Sequence, residues 1–278
     1  MKRKRSFTGT EMKKSTILSI TALAIAFIAA AAGTTILTAA EDGAGADPLG
    51  LWQKALAVFQ KNSDWFPGKV SVLSEVLDRK GRSDSITQLV FNIVPDGQGK
   101  ARTELLQAFK NGKDVSAEMK KKLEVSEAQD EKAANKKDAY SVSLDENPFN
   151  PDKQQQVTVQ ATPEKQLLFE KTCQRFDFSF QTEIVQKNKK ENLTWKGKAW
   201  LEEGSGIPVK LEFSFEPLPK HVYSLWTIYL YETTDSGDWL LKEIKVQGHG
   251  GFLFIKKGFR STTGFSDYRR QPQKGDEK

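Results

Sequence analysis

Apolar residues first recur at helical spacing over residues 48–63, where Leu49, Trp52, Leu56 and Phe59 fall on one face. Asp47 and Pro48 supply a cap and a first helical residue, so an amphipathic helix is expected here. Trp65-Phe66-Pro67-Gly68 should end it. Alternation with a period of two then takes over. Leu73 and Leu77 share a face within 71–77, as do Leu89, Phe91 and Ile93 within 86–94. The polar stretch 79–83 between them reads as a turn, giving a hairpin.

The second half is a succession of such alternating segments. Phe176, Phe178, Phe180, Thr182 and Ile184 oppose Asp177, Ser179 and Glu183, and a second strand is expected over 194–201. Glu203-Gly204-Ser205-Gly206 turns the chain into a return strand with Val209, Leu211, Phe213 and Phe215 on one face and Lys210, Glu212, Ser214 and Glu216 on the other. That is the pattern of a half-buried antiparallel strand. Further strands are expected over 223–231, 239–246, 252–259 and 262–268, with Gly248-His249-Gly250-Gly251 as a turn. Strands joined by short turns make a meander, so the fold expected is mainly β with some helix (α+β).

Residues 111–139 break the pattern. They are dense in Lys, Glu, Ala, Asp and Gln and offer little to bury, so they read as a solvated, charged helical insertion. Asp114 could cap such a helix, and Ser126 with Gln129 resembles a capping box.

The start of the chain has a different character. Lys2, Arg3, Lys4, Arg5, Lys13 and Lys14 precede an apolar run from Ile17 with no charge until Glu41. A basic region, an apolar region and small residues make residues 1–40 an export signal, with a cut expected after Ala40 or, failing that, after Ala32. The alternative is an uncut anchor in the inner membrane, since residues 17–40 are long enough to span a bilayer. Residues 41–278 would then be one β domain outside the cytoplasm. A bacterial lipoprotein signal needs a cysteine directly after its cut, and the leader has none, so N-terminal lipid attachment is not expected.

Charge matters once the leader is set aside. Six of the 42 basic and one of the 36 acidic residues lie in the first 40, leaving 36 and 35. The overall charge of +6 therefore belongs mostly to the leader. Nucleic acid is not an expected partner. The cluster Lys256, Lys257, Arg260, with Arg269 and Arg270 beyond it, reads as a solvated face or a contact to lipid headgroups.

Catalytic signatures are sparse. Gly204-Ser205-Gly206 sits at a hairpin tip rather than a nucleophile elbow, and Gly97-Gln98-Gly99-Lys100-Ala101 lacks the first glycine and the hydroxyl of a phosphate loop. His221, His249 and the single Cys173 are too few for a usual transition-metal site. No enzyme activity, metal or cofactor is expected. Cys173 reads as a small buried hydrophobe.

What the strands do offer is grease. Phe176, Phe178, Phe180, Leu211, Phe213, Phe215, Trp226, Ile228 and Leu230 are assigned to one apolar surface. Each would forfeit roughly 1.5–3 kcal/mol if left in water. Either the chain's own helices cover them or a ligand does. An acyl chain of roughly 16 methylenes would gain about 12 kcal/mol there.

Several segments resemble the LolA/LolB superfamily of lipoprotein carriers. They are 198–209, Pro217-Leu218-Pro219-Lys220, 248–257, Phe265-Ser266-Asp267-Tyr268 and Asn111-Gly112-Lys113-Asp114-Val115-Ser116, and the likeness is best over 195–268. The resemblance implies a curved antiparallel sheet, a half-barrel, lidded by helices and holding acyl chains on its concave side. Without a lipid-attachment cysteine the chain would match the soluble branch. A periplasmic carrier or binder of a lipid or a lipidated protein is the function implied, working with an inner- or outer-membrane partner protein. The alternative is a periplasmic interaction or sensor module on the same fold, with no transport role.

Overall fold

The computed structural model describes residues 48–62, 65–95, 101–132, 147–186, 189–252 and 255–270. The leader, its cleavage sites and Asp47 lie outside these residues. An amphipathic helix α1 (Pro48–Lys61) leads into β1 (Trp65–Phe66), β2 (Lys69–Leu77), β3 (Ser83–Pro95), β4 (Ala101–Lys110) and β5 (Lys113–Asp114). A second helix, α2 (Ser116–Lys132), and a short 3-10 turn (Pro151–Gln156) come next. The rest is strand: β6 (Thr158–Leu168), β7 (Lys171–Gln186), β8 (Lys189–Glu202), β9 (Pro208–Glu216), β10 (Val222–Thr233), β11 (Trp239–Phe252), β12 (Ile255–Ser266) and β13 (Arg269–Arg270).

Eleven strands form one antiparallel sheet in the order β5-β4-β3-β2-β12-β11-β10-β9-β8-β7-β6. It is a meander from β6 to β12 that continues into a second meander, β2 to β5, because β12 pairs with β2 from Gly258–Leu77 to Ser266–Lys69. The sheet is open, with β5 and β6 at its edges. The short β1 pairs with β13 beside it.

Several sequence expectations change here. Gly248–Gly251 is not a turn but the end of β11, paired with Lys256–Phe259 of β12. The glycines let neighbours close in: a Cβ on Gly248 would sit 2.5 Å from the Ser224 carbonyl and 2.8 Å from the Phe259 ring. The two strands expected over 252–259 and 262–268 are one, β12. Strands β4 and β6 were not anticipated. A bulge opposite Val90/Phe91 disturbs the alternation of β4, and one between Ala161 and Lys165, around Pro163, disturbs that of β6.

The charged insertion begins as a tight hairpin. Asn111 and Gly112 both have positive φ, 50° and 77°, as a two-residue type I′ turn requires. Asp114 stands at the start of α2 and accepts the Ser116 N–H at 2.8 Å. Helix α2 runs unbroken through Ser126, so no new cap forms there. Nor is it bare: Val115, Met119 and Leu123, spaced by four, pack partly buried on the core beside β4.

Candidate functional site

One face of the sheet carries the main core. The candidate groove residues Phe176, Phe178, Phe180, Leu211, Phe213 and Phe215 come together on it and are each 0–4% exposed. Cross-strand register brings them into contact: Phe178 faces Gly197, which faces Phe213, while Phe180 faces Trp195, which faces Phe215. Aromatic rings continue across the strands. Phe180 stacks on Trp195 at 5.7 Å, Trp195 meets Phe213 at 5.5 Å, Phe213 meets Tyr229 edge-on at 5.0 Å, and Tyr231 stacks on Trp239 at 4.3 Å.

The remaining three candidates do not belong to this face. Strand β10 turns Leu225, Thr227, Tyr229 and Tyr231 inward. Ile228 and Leu230 lie opposite Glu212 and Lys210, on the outer face, and Trp226 there is 48% exposed. The assignment of Trp226, Ile228 and Leu230 to the groove is therefore corrected. The segment 223–231 is apolar at both parities, so its own pattern could not say which set turns inward.

The inner face has a cover of its own. Trp52, from α1, is buried against Phe149, Phe176 and Phe178 at centroid distances of 4.8, 5.8 and 6.4 Å. Leu49, expected on the same helical face, is 55% exposed instead, and Ala55 is buried. Phe59 reaches Trp239 at 6.2 Å. Phe149 was missed in the sequence. It is carried by the Asn-Pro-Phe-Asn-Pro stretch, where the Asn147 side chain accepts the Phe149 N–H and Asn150 accepts the Asp152 N–H. Such Asx turns are the signal that could have marked the segment as ordered.

Polar groups fasten this cover at several points. The Trp52 indole donates to Gln154 Oε1 at 3.1 Å, and Asn147 Nδ2 donates to the Tyr231 hydroxyl at 3.2 Å. Asn62 Oδ1 accepts the Trp239 N–H at 3.1 Å, and Lys54 Nζ donates to the Gly204 carbonyl at 2.7 Å. Burial holds the Tyr231 hydroxyl well above its usual pKa, so it stays a neutral partner for Asn147.

A pocket of about 340 Å³ opens at the β7–β8 end of the sheet, lined by Gln156, Gln181, Thr182 and Asn192. Its lining side chains carry amide and hydroxyl groups. A smaller buried cluster joins Cys173, Trp200 and Val209, with Leu168 against it. Burial, with Glu202 nearby, pushes the Cys173 thiol up to about 11. His249 is exposed, with Nδ1 3.2 Å from the Ser224 hydroxyl. Among the described residues no three His, Cys, Asp or Glu side chains gather as metal ligands, and no helix is long and apolar enough to cross a membrane.

No protein-family model matches the chain. No curated protein matches it. Among solved structures it is similar to a DUF1329 family protein from Desulfovibrio piger, with a TM-score of 0.33 and 8% identity over 81% of this chain and 93% of that one. It is similar also to MucB in complex with MucA(peri), with a TM-score of 0.22 and 8% identity over 81% of this chain and 100% of that one. A third likeness is to the Pseudomonas aeruginosa MucA/MucB complex, with a TM-score of 0.21 and 9% identity over 82% and 100%. At such TM-scores the functional reading has to rest on the residues themselves.

Proposed function

We propose that the protein is an exported, non-catalytic binding module that works through its surfaces, and that its apolar inner face is structural core rather than a lipid groove. The observation that carries this is the burial of all six inner-face candidates within the chain's own core, with Trp52 packed against Phe149, Phe176 and Phe178. Lipid entry would also have to break the hydrogen bonds that fasten the cover, Trp52 to Gln154 and Asn147 to Tyr231. The basic and apolar leader supports export to the periplasm, with a cut near Ala40.

Titration with a fluorescent fatty acid tests the reading directly. The wild-type protein should take up none, whereas Trp52→Ala, which opens space above Phe176 and Phe178, should gain weak binding. Stoichiometric uptake by the wild type, abolished by Phe213→Glu, would restore the carrier reading in its place. Mass spectrometry of the protein from the periplasm reports the mature N-terminus in the same preparation.

A further inference from the structure

The two ends of the sheet differ in charge in a way that composition conceals. Every neighbouring pair of strands is antiparallel, so connections alternate between the ends. The turns after β2, β4 and β9 and the start of β12 lie at one end, and the turns after β6, β8, β10 and β12 at the other. Within 78–84, 110–114, 217–221 and 256–257, basic residues outnumber acidic ones eight to three. Within 169–171, 202–206, 234–238 and 267–270 the balance is reversed, three to six. The cluster Lys256, Lys257, Arg260, Arg269, Arg270 is thus split by the fold, its last two members standing at the acidic end.

At the basic end the acids are already engaged. Asp78 pairs with Arg82 at 2.8 Å, Asp84 with Lys257 at 2.6 Å, and Asp114 holds the start of α2. Lys80, Lys110, Lys113, Lys220 and Lys256 are all exposed. They are spread along a rim from β4 to β10, five strand spacings or about 24 Å. Tyr223, at the start of β10 on the same rim, is 57% exposed. Strands of 9–14 residues separate the two ends. That is about 30–45 Å, far beyond a Debye length of about 8 Å, so the acidic end does not screen the basic one.

We propose that this lysine-rich rim docks on an anionic phospholipid surface, with Tyr223 at headgroup level. Exposed ammonium groups spread along about 24 Å of rim suit a diffuse sheet of phosphates better than one defined anion, for which planar, bidentate arginine is the usual choice. An exposed tyrosine among them is an interfacial side chain. Each lysine near such a surface strengthens partitioning by about fivefold.

The test uses the full chain and reads orientation: the leader is present in every variant and enters α1 beside the Gly204–Gly206 turn at the acidic end, so it would not by itself bring Ser83 to a membrane. Cys173 is buried, which leaves an introduced thiol as the addressable one among the described residues. A polarity-sensitive dye is placed on Ser83→Cys at the basic end or on Ser266→Cys at the other. Vesicles of phosphatidylcholine with about 30 mol % phosphatidylglycerol should shift the Ser83→Cys dye alone, and about 0.5 M salt should reverse the shift. Adding Lys80→Gln and Lys256→Gln should weaken it about 25-fold. Equal response to pure phosphatidylcholine, equal response at both ends, or no response overturns the proposal. So does protection of the Ser83→Cys dye by polyglutamate where anionic vesicles give none, which would point to an acidic protein instead.

Discussion

Gly197 marks a place where β7, β8 and β9 approach tightly. A Cβ there would meet the Glu212 carbonyl at 2.3 Å, Phe178 Cζ at 2.6 Å and Phe213 Cβ at 2.7 Å. The first of these is backbone and cannot rotate away, so the ring of Phe178 fills the space a side chain would need. Gly197→Ala should therefore lower stability by about 1–3 kcal/mol, read as a drop in the urea midpoint. Cys173 supplies a second residue-scale prediction. A thiol raised to about 11 holds little thiolate at pH 8, and the side chain is buried beside Trp200 and Val209. Its reaction with a disulfide reagent should be negligible in the native protein and immediate in denaturant. Above the raised pKa the thiolate would have to form in place, so native reactivity should appear only as the pH climbs toward 11.

Helix α1 shows how far a single element's pattern can be read. The 3.6-residue spacing located it correctly, but the buried face is centred on Trp52 and Ala55 and leaves Leu49 in solvent. Trp52→Ala should cost about 3–5 kcal/mol, whereas Leu49→Ala should stay within about 0.5 kcal/mol by thermal or urea unfolding. Strand β7 was legible over 176–180, because Phe176, Phe178 and Phe180 alternate there with Asp177 and Ser179 and only one parity of that segment is apolar. Strand β10 was not, since Trp226, Ile228 and Leu230 compete with Leu225, Tyr229 and Tyr231 for the same face. Its partner decides: Phe213 of β9 stands opposite Thr227, so the odd positions turn in. A glutamate scan reads this directly. Tyr229→Glu should unfold the protein, and Trp226→Glu should leave its unfolding midpoint nearly unchanged. The reverse order would return Trp226 to the inner face.

At the scale of the whole molecule, the long meander followed from consecutive hairpins, while the joint between β12 and β2 did not. Those strands are about as far apart in sequence as the fold allows, and nothing local specifies that Gly258 should meet Leu77. The joint leaves the sheet open, and an open sheet must protect its edges. On one side the edge is β5, only two residues long and carrying Lys113 and Asp114. On the other it is β6, whose eleven residues would offer a long template but for a bulge between Ala161 and Lys165 around Pro163. Proline removes a donor, the bulge breaks the register, and Glu164 and Lys165 add charge, Glu164 paired with Arg175 and Lys165 with Glu203. These features make β6 a poor strand to extend. Replacing them together, Pro163→Val with Lys165→Val, should convert it into a flat, adhesive edge that recruits another copy. Size-exclusion chromatography should then show dimers or larger species at concentrations where the parent elutes as a single smaller one. Lys113→Val, on the edge too short to pair, should leave the elution unchanged. A double variant that stays with its parent would mean that the edge is guarded by something other than its own bulge and charge.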